Sequence, residues 1–138
     1  MTSGRITTAS MLGLILALLA AANAPAAKKQ MPDAVRLAAA LNKAPAAART
    51  APNPYTGQSD AVLAGRKLFR QHCAQCHGEE AQGRGKAPSL HSAALQQTPP
   101  GVLFWFLRNG NLRKGMPSWS GLPEQERWQL VSYLETLP

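Results

Sequence analysis

Two thiols and an imidazole stand together in one five-residue run, Cys73-Ala-Gln-Cys76-His77. A C-x-x-C-H run is spaced for covalent attachment of haem: the thiols add across its two vinyl groups as thioethers, and the adjacent imidazole falls where it can ligate the iron. Two other chemistries use the same thiol spacing. A redox-active dithiol needs C-x-x-C but not the following histidine, and is normally presented by a βαβ unit, which the pattern of this chain does not show. A structural zinc site needs about four protein ligands, and the chain has only two cysteines.

The elements that must carry this run can be read around it. Ser59 and Asp60 suit the start of a helix through Val62, Leu63, Arg66, Lys67, Leu68, Phe69 and Gln71, which delivers Cys73 and Cys76 at its end. Gly78 should stop it, and the polar stretch Glu79 to Lys86 reads as a surface loop. Thr98-Pro99-Pro100 opens a second helix through Val102, Leu103, Phe104, Trp105, Phe106 and Leu107, closed by Arg108-Asn109-Gly110. Apolar almost all round, it is expected to be buried. A last helix starts at Pro123, with Glu124 and Glu126 near its positive end, and runs through Trp128, Leu130, Val131, Tyr133, Leu134 and Leu137.

The first 24 residues have the build of an export signal: Arg5, an apolar core from Met11 to Leu19, then small residues from Ala20 to Ala24. Cleavage after Ala22 fits the small-residue rule. If the leader is retained, the uncharged run 6–27 is about long enough to anchor the chain in a membrane. Export places the protein in the periplasm, where a free C-x-x-C pair would tend to close into a disulfide and thioethers would remove both sulfurs from exchange. From residue 25 to 58 the composition turns to Ala, Pro and Lys, which reads as a partly extended linker with at most a short helix from Pro32 to Lys43. The folded domain is then expected over 59–138. Its mostly helical length of about 80 residues is a marginal size for a free-standing core, so a planar apolar cofactor would supply much of what it buries.

The chain has 15 Lys and Arg against 7 Asp and Glu, a net charge of +8. Its basic residues are scattered and accompany no nucleic-acid-binding module, so nucleic acid is not the expected partner. A docking face for an acidic protein is.

From about Ser59 to Pro138 the chain resembles the small monohaem c-type cytochromes of the soluble mitochondrial and bacterial kind. The resemblance rests on Cys73 to Gly78, on Gly65 and Phe69 in the first helix against Leu130 and Tyr133 in the last, on Ala87-Pro88-Ser89-Leu90 and on Gly115-Met116-Pro117. It implies an all-α, cytochrome c-like fold, with three main helices and loops wrapped around one covalent haem c. The first and last helices would cross where Gly65 has no side chain. Pro88 would supply the carbonyl that orients the imidazole of His77, the proximal iron ligand, and Met116 would be the distal one. Met116 must be weighed against ordinary core filling. Met1 and Met11 lie in the leader and Met31 in the linker.

His72 is expected at the surface or in packing, His91 has no assigned role, and Trp105, Trp119, Trp128, Arg108 and Arg113 are wall residues or propionate partners without further distinction. With both axial positions filled, the molecule implied is a monomeric single-electron carrier and not an enzyme. The alternative is a small haem enzyme or ligand sensor with an exchangeable distal position. The partners implied are an exported dehydrogenase, quinoprotein enzymes among them, or a terminal oxidase. The run Leu103-Phe104-Trp105, the stretch Gly115 to Trp119 and the stretch Arg127 to Val131 resemble the cytochromes that accompany quinoprotein dehydrogenases.

Overall fold

Gly65 sets the main crossing of the fold. The computed structural model describes residues 32–138, of which no residue lies in a β-strand. The leader 1–24, the anchor run 6–27 and the start of the linker lie outside the described residues. Among the described residues seven α-helices follow one another: α1 Asp33–Leu41, α2 Ala46–Thr50, α3 Ser59–His72, α4 Ala74–His77, α5 Ala93–Gln96, α6 Pro100–Asn109 and α7 Glu124–Leu134. The most extensive packing is α3 on α7. At Gly65 a Cβ would run into the main-chain carbonyl of Gln129 and lie 2.9 Å from Cβ of Tyr133. Only glycine lets the helices approach this closely. Beside the crossing the rings of Phe69 and Tyr133 meet at 5.3 Å, tilted by 53°. Phe69, Leu130 and Val131 are among the most deeply buried side chains.

The expected helices are present with small corrections. Ser59 is the first residue of α3 and not its cap: Gln58 holds that position, without a side-chain hydrogen bond, while Asp60 sits in the first turn. Pro100 opens α6, and Gly110, at φ 67°, ends it. In α6, Val102, Leu103 and Leu107 are buried, but Phe104, Trp105 and Phe106 are half-buried. The helix packs on α1, α2 and α7. Its remaining aromatic surface borders the core without being enclosed by it.

The linker expected over 25–58 is, from Pro32 on, folded material belonging to the same compact unit as the rest. Leu37, Leu41 and Ala44 are buried, α1 packs on α5 and α6, and α2 packs on α6. At Gly101 in α6 the end of α2 packs so closely that a Cβ would lie 2.7 Å from Cβ of Ala51. Asn53 then staples the segment to α7. It is 5% exposed, and its amide donates to Oγ of Ser132 at 3.0 Å and to Oε2 of Glu135 at 2.7 Å. Leu41→Ala should therefore lower stability by about 2–4 kcal/mol, the usual cost of a buried leucine. A thermal melt of the holoprotein reads it directly. A tether would leave the melting temperature where it was.

Candidate functional site

The attachment run lies where α3 gives way to α4. Cys73 is the last capping residue of α3, its N–H donating to the carbonyl of Phe69 at 2.8 Å, and its own carbonyl accepts from Cys76 at 3.1 Å and His77 at 2.9 Å. One turn of helix thus carries both the second thiol and the imidazole, before Gly78 at φ 84° breaks it. The thiols are unpaired, Cys73 half-buried and Cys76 exposed. Burial, with the neighbouring Cys76 second, pushes the Cys73 thiol up to about 12. A dithiol oxidoreductase needs the opposite, a thiolate favoured at neutral pH.

His77 is held by the next loop. Its Nδ1–H donates to the carbonyl of Pro88 at 3.0 Å, which leaves Nε2 with the lone pair a metal requires. That carbonyl is itself fixed. Gly83 donates to His77 O at 2.7 Å, Arg84 and Ala87 exchange backbone hydrogen bonds at 3.1 and 2.9 Å, and Leu90 donates to the buried Ala81 at 2.9 Å. Burial lowers the pKa of His77 below the ordinary 6.5, opposed by the bond to Pro88. The folded chain therefore prefers the neutral ring. Its contribution to stability is complete above 6.5 and is lost as pH falls through that value toward the lower folded one.

Met116 lies on the loop joining α6 to α7. Asn111 and Met116 exchange both backbone hydrogen bonds, at 2.9 and 3.2 Å, around a 3-10 turn at Leu112–Lys114 that ends on Gly115 at φ 88°. Trp119 donates to Leu107 O at 3.0 Å, tying the loop back to α6. Met116 is half-buried. Met116, Cys73, Phe104, Trp105 and Trp119 all border the same buried apolar cluster. Of the residues read as a site, the structure puts His77 and Pro88 in direct contact, and it sets Cys73 and Met116 against one core from different loops.

This donor set fits a covalently held haem. Two unpaired thiols, an imidazole with a free Nε2 and a thioether would hold it, and half-buried aromatic residues would wall it. His72, half-buried, packs its ring 5.3 Å from that of Trp119, so it meets the methionine loop from α3. His91 is exposed.

Sequence reasoning missed Asn53 and Arg127. Asn53 sits between two prolines in a stretch that composition assigns to a linker, and nothing local marks it. Arg127 carried one signal: a cation in the first turn of α7 stands at the helix end that disfavours positive charge. In the structure it is buried, 5.1 Å from the centre of the Phe104 ring, which in turn stacks on Trp128 at 4.2 Å.

The known proteins that this chain is similar to are cytochromes. A family model described as cytochrome c oxidase, cbb3-type, subunit III matches residues 60–134. Cytochrome c550 of Pseudomonas aeruginosa is 37% identical over 91 residues, covering 61% of this chain and 61% of that protein, so the match spans about three fifths of the relative's length. Cytochrome c-554(547) of Halothiobacillus neapolitanus is 30% identical over 87 residues, covering 55% of this chain and 96% of that protein. The crystal structure of cytochrome CL from the marine methylotrophic bacterium Methylophaga aminisulfidivorans MPT matches with a TM-score of 0.54 and 25% identity, over 78% of this chain and 67% of that one.

Proposed function

Because the chain belongs to the small c-type cytochromes, all-α carriers of electrons on covalent haem c, we propose that it shuttles single electrons with His77 and Met116 as axial ligands and Cys73 and Cys76 as the points of attachment. When bound, the haem supplies an iron that accepts and returns one electron. With Nδ1 of His77 committed to Pro88, Nε2 is the nitrogen that would hold the metal, and this bond, at 3.0 Å, is the observation that carries the reading. Met116 offers a soft, neutral sulfur, which favours the reduced metal. With His77 and Met116 both holding the iron, no place would be left on it for a substrate, and the chain would supply the same two ligands in both oxidation states.

The partners we infer are acidic redox proteins of the periplasm, an exported dehydrogenase (quinoprotein enzymes the favoured subclass) or a terminal oxidase. Charge placement supports this. From residue 81 to 123, the span holding Pro88 and Met116, there is no Asp or Glu, while Arg84, Lys86, Arg108, Arg113 and Lys114 are all exposed. Exposed charges of one sign steer a transient partner and make its binding sensitive to salt. Export rests on the leader at 1–24. No helix among the described residues is long and apolar enough to cross a membrane. A retained leader would attach the chain through 6–27.

The test is an absorption spectrum with intact mass on exported protein. Covalent haem adds its mass to the chain, leader removal subtracts 1–22, and a thioether ligand gives a charge-transfer band at the red end of the ferric spectrum. Rapid cyanide binding or peroxide turnover by the native ferric protein would turn the reading toward a haem enzyme or sensor.

A further inference from the structure

We propose that Arg127 is a positioning residue that clamps the Met116 loop from the α7 side and so sets how readily the thioether leaves the iron; this rests on the Met116 ligation proposed above. Arg127 is 8% exposed, and among the described residues the ion pair formed is a different one, Arg36 with Asp33. A guanidinium removed from water without a counter-charge is costly unless its donors meet acceptors. Here they meet a loop. Nη1 donates toward the carbonyls of Trp119 at 3.5 Å, Ser120 at 3.2 Å and Leu122. All three lie on the return limb, between Met116 and the start of α7. The plane of the cation lies near Phe104, and Nε has no hydrogen-bond partner. The side chain is thus committed to the loop through one nitrogen, at a helix position where the macrodipole opposes its charge.

Met116 is consequently anchored from two sides. The Asn111–Met116 pair closes the outgoing limb on itself, and Trp119 N–H to Leu107 O ties the residues just after Met116 back to α6. The return limb is tied to α7 by Arg127. For the sulfur to leave and an external ligand to enter, the loop must swing, and the charge-assisted bonds to three carbonyls must loosen together. Replacing Arg127 should therefore raise the open population of the loop without altering the ligand atoms.

The experiment compares ferric holoprotein carrying Arg127→Met, Arg127→Lys or Ser132→Ala, with imidazole as the external ligand. Methionine keeps the stem's bulk and removes the donors, and lysine keeps a cation that can serve fewer carbonyls. Ser132 is the structural control: it is buried on α7 and bonded to Asn53 and to Trp128 O, not to the loop. We expect Arg127→Met to bind imidazole about tenfold tighter and to exchange the amides of 118–122 faster, with Arg127→Lys between it and the wild type, as loss of charged hydrogen bonds implies. Ser132→Ala should lower the melting temperature and leave imidazole affinity unchanged. If variants at 127 and 132 with equal loss of melting temperature bind imidazole equally, Arg127 is only a packing residue and the proposal is overturned. Should Arg127→Met not fold, wild-type affinity in Arg127→Lys overturns it in the same way. Failure of the underlying ligation looks different: Met116→Ala would then leave both the spectrum and the imidazole affinity of the wild type unchanged.

Discussion

Met116→Ala should abolish the red charge-transfer band, lower the reduction potential and turn a protein inert to cyanide into one that binds it readily. The side chain is half-buried, and the loop's own hydrogen bonds use the backbone of residue 116, not its sulfur. The polypeptide should therefore keep its helices while the iron loses a ligand. Axial ligands move haem potentials over a span of ~0.8 V, so exchanging a thioether for water or hydroxide should shift the midpoint by on the order of 100 mV or more. Met116→His separates ligand identity from mere occupancy: it should lower the potential too, because imidazole favours the oxidised metal, yet keep cyanide out. Potentiometry and a cyanide titration on the same three proteins check both halves. An unchanged band in Met116→Ala would remove the thioether from the site.

The basic span around this loop gives the carrier reading its consequence for partners. Leu112, two residues after Gly110, is 74% exposed, and Arg108, Arg113 and Lys114 stand beside it in sequence with no carboxylate on the same loop. An apolar tip flanked by cations suits a short-lived complex, in which charge brings an acidic surface close and a small dry contact orients it. Arg127 belongs to the opposite regime. Its charge is buried in the loop's interior face and contributes to holding a ligand, not to steering.

How much of this could be read beforehand follows from where each signal lies along the chain. Gly78, Pro100, Gly110 and Pro123 are local punctuation, each acting on the backbone within a few residues, and they mark the end of α4, both ends of α6 and the start of α7, whereas α3 already stops at His72, ahead of Gly78. The crossing at Gly65 is non-local and was legible only through the family resemblance. Residues 32–58 show the limit. An Ala-rich helix has a weak apolar face, and whether it packs is decided by Gly101, fifty residues away, whose missing side chain makes room for Ala51. Composition cannot report that. Asn53 follows the same logic: one polar residue between prolines looks like linker until Ser132 and Glu135 are brought to it. Ser59 failed as a cap for a smaller reason. Gln58 N–H already bonds Tyr55 O at 3.1 Å, so the turn before α3 ends one residue earlier than the cap preference suggests.

The packed N-terminal helices sharpen the second large expectation, that Cys73→Ala, Cys76→Ala will be colourless and will lose its cooperative melt. The substitutions themselves remove little: Cys76 is exposed, and truncating the half-buried Cys73 thiol costs about 1 kcal/mol by transfer and cavity terms. Loss of the cofactor is another matter. Phe104, Trp105, Met116 and Trp119 border the core without being enclosed, and each 100 Å2 of apolar surface they fail to bury against haem forfeits roughly 2.5 kcal/mol. A few such faces exceed the net stability of a domain this size, roughly 5–15 kcal/mol. Circular dichroism should show reduced, non-cooperatively melting helix, with most of the remainder in the α3–α7 crossing, whose contacts at Gly65, Phe69 and Tyr133 are made by the polypeptide alone. The counterweight is α1 and α2, which bury Leu37, Leu41 and Ala44. A sharp, near-wild-type melt from the colourless variant would mean that this added layer suffices, and that the cofactor is cargo of a finished core and not a part of it.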